Sequence, residues 1–129
     1  LALVACRLKP SHNRATVFPR HIEVLTTTKD STGFWRLMIA TSLGGPGTWV
    51  DVENSALQVN ITATSVTGST ILAAGYLSTT TTVSSRELDN VITLASDYAG
   101  VSDILCLSIQ NIPAATETYF GQITLTELT

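Results

Sequence analysis

Charge is what this chain has least of. Seven Lys or Arg and ten Asp or Glu make 13% of 129 residues, against roughly 25% in ordinary globular domains. With a net charge of -3 and a pI near 5.1, it has no basic footprint for gripping nucleic acid. No apolar run approaches the ~18 residues of a membrane-crossing helix. Glu and Lys are too scarce, and heptads too short-lived, for a coiled coil. The opening run of residues 1–8 is apolar but short and lacks a charged leader, so it does not read as a signal peptide.

The residues that do chemistry are equally sparse. There are two histidines, His12 and His21, nine positions apart. No H-x-E, H-E-x-x-H or C-x-x-C pattern supports zinc. Gly44-Gly45-Pro46-Gly47 is not a phosphate cradle, because Pro46 removes an N–H and no Lys-Ser/Thr follows. A G-x-S-x-G nucleophile elbow is missing. Asp51 with Glu53, and Glu87 with Asp89, could each share a face, but both pairs sit beside loops where solvated carboxylates are the default. Asp97 and Asp103 lack the dense spacing of a calcium loop. We therefore expect no catalytic residues, no cofactor and no metal. Cys6 and Cys106 lie in apolar runs and read as buried free thiols, with a bridge between their strands as the alternative.

What is present is apolar and hydroxylated. Hydrophobic residues make 44%, and mean hydropathy is +0.29. The 21 threonines and 12 serines supply a quarter of the chain, so polarity comes from hydroxyls. Thr and Val suit a pleated, half-buried surface. Strands are expected over residues 3–8, 21–27, 34–41, 56–63, 70–78, 91–94, 103–110 and 119–128. Residues 21–27 and 34–41, around the 29–33 turn cluster, read as a hairpin. Residues 56–63 alternate Leu57, Val59 and Ile61 against Gln58, Asn60 and Thr62. Residues 66–69 read as a turn and 79–85 as an exposed loop. Gly75 inside a strand suggests a bulge or a close neighbour. The sum is one domain, 1–129: an all-β antiparallel sandwich of about eight strands, jelly-roll-like. Within it, 1–19 form an N-terminal strand and loop.

Trp35, in a strongly alternating strand, reads as core. Trp49, after the Gly/Pro loop, reads as core or an intersubunit contact, with ring stacking on a ligand as the alternative. Asn60-Ile61-Thr62 fits the N-glycosylation pattern, but within a strand it reads as chance. Uncharged polar strand faces are what subunit interfaces favour, since hydroxyls hydrogen-bond without the desolvation cost of ions. A symmetric homo-oligomer is expected, most simply a trimer. The apolar first strand, through Leu1, Leu3, Val4 and Leu8, is the candidate contact arm, because an exposed edge readily joins another sheet.

The run GTWVDVENSALQVNITATSVTGSTILAAGYLS resembles a segment of small structural proteins of tailed bacteriophages. Trp49, Val50, Val52, Ser55, Leu57, Gln58, Asn60, Thr67, Gly68, Gly75 and Tyr76 carry the likeness. SDILCLSIQNI and FGQITLTELT resemble that family's closing strands, and RHIEVLTTTKDSTGFWRLMI its two-strand opening, so the likeness spans residues 20–128. These are strand and turn residues rather than catalytic ones. The resemblance implies a β-sandwich at the virion surface, made in the bacterial host cytoplasm. There it would be a capsid decoration or head-fibre subunit binding its own copies and the major capsid protein, without enzyme chemistry, nucleic acid or membrane. The alternative is a receptor- or carbohydrate-binding tail-fibre tip using loops 44–49, 79–86 and 97–102, with Trp49, Arg86 and Asp97.

Overall fold

Alternation of β-branched and polar residues dictates strands, and strands form. The computed structural model describes residues 2–12, 15–26, 33–45, 47–77, 83–88, 94, 102–111 and 119–128. Among these run nine strands: β1 (Ala2–Leu8), β2 (Thr16–Thr26), β3 (Gly33–Gly44), β4 (Val50–Asp51), β5 (Leu57–Asn60), β6 (Ser65–Leu77), β7 (Val83–Glu87), β8 (Ile104–Asn111) and β9 (Tyr119–Leu128). One 3-10 turn, Pro10–His12, follows β1. The strands make two antiparallel sheets, ordered β4-β5-β1-β8-β3-β6 and β7-β2-β9. β9 packs against β1 and β8, and β7 against β6. This is the expected all-β sandwich.

β8 shows how the sequence builds the layer between the sheets. Leu105, Leu107 and Ile109 alternate with Ile104, Cys106 and Ser108. The first set joins Cys6, Leu8, Trp35, Leu37 and Leu57 against Val17, Ile22, Val24 and Tyr119 of the smaller sheet. Each such large side chain, fully buried, contributes about 1.5–3 kcal/mol. The other face of the six-stranded sheet carries a second cluster: Ala2, Ala5, Met38, Ala40, Ala63 and Cys106, with Leu43, Trp49, Val66 and Ile104 against it. The central strands are thus buried on both faces. Gly121 of β9 sits where the sheets approach closely. A Cβ there would lie 2.9 Å from Leu107 and 3.0 Å from Leu3. Gly75 is the close neighbour its position suggested. Paired with Trp35 across β3 and β6, it leaves room for the indole, which a Cβ would meet at 2.7 Å.

Several local readings give way to long-range pairing. The hairpin over 21–27 and 34–41 does not form, because β2 pairs with β7 and β9 while β3 pairs with β6 and β8. The chain crosses from one sheet to the other between them. The 66–69 turn is absorbed into β6, whose ladder to β3 slips register at three places and so bends without stopping. Of the loop expected over 79–85, residues 83–85 instead begin β7, which pairs with β2, and residues 79–82 lie outside the described residues. β5 stops at Asn60, short of 63. The Asn60 Oδ1 accepts from Thr62 N (2.9 Å), Thr62 Oγ1 (3.0 Å) and Ala63 N (3.0 Å), and this side-chain turn competes with the strand. Ile61, expected on the buried face, is left 74% exposed.

The expectation of an exposed edge for the first strand is corrected. β1 lies between β5, which pairs with Ala5 to Leu8, and β8, which pairs with Ala2 to Cys6. Leu8 is buried, and Leu3 and Val4 pack against the main core. Leu1 lies outside the described residues.

Candidate interaction surface

The outer face of the three-stranded sheet is set by one irregularity in β2. Pro19 pairs with Leu125 and His21 with Thr124, so Arg20 is an extra residue. Such a bulge switches the alternation. Before it Phe18 faces outward over a buried Pro19. After it His21, Glu23 and Leu25 face outward over buried Ile22 and Val24. Phe18 and Leu25 would lie on opposite faces without Arg20. β9 adds Phe120, Gln122, Thr124 and Thr126 to this face.

At one end, Leu25 and Phe120 are register partners, and they stay 37% and 55% exposed. Beside them lies a shallow depression of about 170 Å³, lined by Glu23, Leu25, Phe120, Gly121 and Gln122. At the other end, Arg20 Nε donates to Thr126 Oγ1 at 3.2 Å, and its guanidinium stands 5.5 Å from the Phe18 ring. The bond goes to a hydroxyl, so the guanidinium charge is not neutralised by it. Sequence reasoning missed this face. The signal was the paired placement of Leu25 and Phe120, which exists only once β2 and β9 are known to be neighbours.

A second polar feature crosses the outer face of the larger sheet. Arg7 Nε donates to Gln58 Oε1 at 2.8 Å, and Gln58 Nε2 donates to Asp51 Oδ1 at 2.8 Å. The row runs over β1, β5 and β4 in register. The Arg7 guanidinium lies 4.1 Å from the centre of the Trp49 ring, a cation–π contact. Trp49 is half-buried against the second cluster, so its indole packs on the body of the domain and carries Arg7. Arg86, expected in a ligand loop, lies in β7, where its backbone pairs with Ile22. Asp97 lies outside the described residues. The three are therefore not shown to meet at one site.

The remaining polar groups hold loops together. The Glu127 carboxylate accepts from Ala56 N at 2.6 Å and from the Ser55 hydroxyl at 2.9 Å to either oxygen. It ties the end of β9 to the β4–β5 connection, and so ties the two sheets. Asn60 is 1% exposed and turned into its own loop, closed to a glycosylating enzyme. Both cysteines are free and buried. Cys106 pairs with Ala5 and Cys6 with Leu105, so the thiols point to opposite faces of the sheet and cannot bridge. Burial, with a smaller contribution from Cys106, pushes the Cys6 thiol up to about 12. Burial likewise pushes Cys106 up to about 11. Neither presents a thiolate at neutral pH. Among the described residues no three His, Cys, Asp or Glu side chains converge as a metal site would require, and no helix is long and apolar enough to cross a membrane.

Comparison with protein families, curated proteins and solved structures gave no match to this chain.

Proposed function

We propose that this chain is a non-enzymatic structural subunit of a tailed-bacteriophage virion, a capsid decoration or head-fibre protein that assembles as a homo-oligomer on the particle surface. The observation that carries the reading is the outer face of the three-stranded sheet, where Leu25 and Phe120 stand exposed as neighbours. Single exposed apolar residues are ordinary, but adjacent ones rimmed by polar groups mark contact surfaces. The charge-poor composition and the resemblance of residues 20–128 to phage structural proteins support the same reading. So does the use of Glu127, Asn60 and the Arg7–Gln58–Asp51 row in holding the fold.

The mechanism is mass action. A protein that binds the assembled lattice and not its dissociated parts shifts the equilibrium toward the lattice. The test is to mix the purified chain with capsids of the source phage lacking it and sediment them. Saturable binding at a fixed number per lattice site, with a raised disassembly temperature, is expected. Capsids that bind none of it would overturn the reading.

A further inference from the structure

We propose that the outer face of the three-stranded sheet is a two-fold interface, occupied by the same face of a second copy of this chain. This rests on the homo-oligomer reading above and specifies a two-fold contact where composition alone suggested a trimer.

The face is self-complementary. Measured along the β9 ladder, β2 reads outward in matched pairs about the point above Ile22. Phe18, opposite Thr126, and Leu25, opposite Phe120, stand three steps on either side of Ile22, opposite Ile123, and Arg20 and Glu23 lie within two steps on either side. The bulge at Arg20 brings Phe18, Glu23 and Leu25 to one face. Aligned sheets pack face to face with strand directions within ~30° of each other. A two-fold axis in the interface plane, crossing the strands above that point, therefore lays β2 antiparallel over β2 of the second copy. Arg20 then meets Glu23 of the second copy, and Glu23 meets its Arg20, so opposite charges pair twice. Phe18 of the second copy comes over Leu25 and Phe120, where the depression of about 170 Å³ lies beside Gly121.

Symmetry makes each contact occur twice, as an isologous interface requires. It also accounts for both ends of the face. The exposed apolar pair gains an aromatic to cover it. Arg20, whose guanidinium hydrogen-bonds to the Thr126 hydroxyl, gains a carboxylate. Like charges would meet if the second copy docked in the parallel sense, Arg20 on Arg20 and Glu23 on Glu23, so the charge order selects the antiparallel arrangement.

Sedimentation equilibrium of the full chain, from low to high micromolar, tests this. A reversible species of twice the 13.7 kDa monomer mass is expected, weakening as salt rises. Arg20→Glu and Glu23→Arg should each raise the dimer dissociation constant at least ~10-fold, and the double exchange should restore it to within ~3-fold, because the pairs are re-formed with reversed polarity. Phe120→Ser should leave a folded monomer, with folding checked by circular dichroism. A wild-type monomer at every concentration would overturn the interface, as would a trimer indifferent to charge reversal or a double exchange no better than the single ones. Capsid sedimentation separates this from the functional reading: a monomer that still coats capsids removes only the two-fold contact, and a dimer that behaves as expected but never binds capsids removes only the virion role.

Discussion

Gly75→Ala is the sharpest perturbation of the core, because packing and chain entropy push it in opposite directions. A Cβ built at Gly75 lies 2.7 Å from Trp35 Cζ2 and 2.8 Å from both Cε2 and Nε1. Real contacts of this kind sit nearer 3.4–4 Å, so ring or strand must move by several tenths of an ångström. The indole is 2% exposed and enclosed by the main core, with no solvent to move into. Overpacking of this sort costs about 1–3 kcal/mol. Gly75 does not have a positive φ, so without the clash alanine would stabilise by about 0.4–1 kcal/mol through the unfolded chain. The net expectation is a loss of roughly 1–2 kcal/mol, or about 4–8 °C in Tm for a chain of this length. The assay is reversible thermal unfolding followed by circular dichroism. Gly47→Ala is the control, since nothing lies within 4 Å of a Cβ there, and its Tm should hold or rise. Trp35→Phe removes the indole atoms that the Cβ meets, so adding Gly75→Ala to that variant should cost almost nothing. If Gly75→Ala raises Tm as the control does, the indole does not rest on that glycine and the account of the core is wrong.

Other outcomes follow from the same geometry. Glu127→Ala should lower stability by about 1–3 kcal/mol, since Ala56 N and the Ser55 hydroxyl lose a charged acceptor; urea unfolding with an unchanged m-value checks this. Asn60→Ala removes a buried acceptor of three hydrogen bonds and should cost about 2–3 kcal/mol, read from the same curves. The cysteines set an alkaline limit. Unfolded thiols ionise near pH 9, while the folded ones wait until about 11 and 12. The unfolded state thus binds fewer protons over that window, and stability falls as pH rises through it by about 1.4 kcal/mol per unit for each thiol. Cys6→Ala/Cys106→Ala should flatten that slope, and an unflattened slope would contradict the burial. Trp49→Ala should release Arg7 and loosen the Arg7–Gln58–Asp51 row, seen as loss of protection of the β1–β5 amides in hydrogen exchange.

How much of this was legible in the sequence depends on range. β8 was readable because Leu105, Leu107 and Ile109 alternate without interruption, and period two is a local property. Trp35 as core and Gly75 as a close neighbour were readable for the same reason, since one apolar giant and one missing side chain each stand out alone. Pairing was not readable. Nothing between residues 21 and 41 says that β2 and β3 join different sheets, because the deciding partners, β9 and β8, lie 101 residues beyond Ile22 and 70 beyond Leu37. The first strand looked like an exposed arm because apolar strands look alike at the edge and at the centre. Its neighbours β5 and β8, not its composition, put Leu8 in the core and Leu3 and Val4 against it. The outward face of β2 needed both kinds of knowledge. His21 and Glu23 opposite Ile22 and Val24 was legible, but the extra residue at Arg20 becomes visible only against the register of β9.

The proposed role is to occupy a virion surface in many copies rather than to turn over a substrate. Quantitative mass spectrometry of purified virions of the phage to which the proposal assigns the chain, scaled to the major capsid protein, tests it most directly. Copies in the hundreds, in fixed ratio to the shell lattice, are what the account predicts. Virions that contain none of the chain would contradict it.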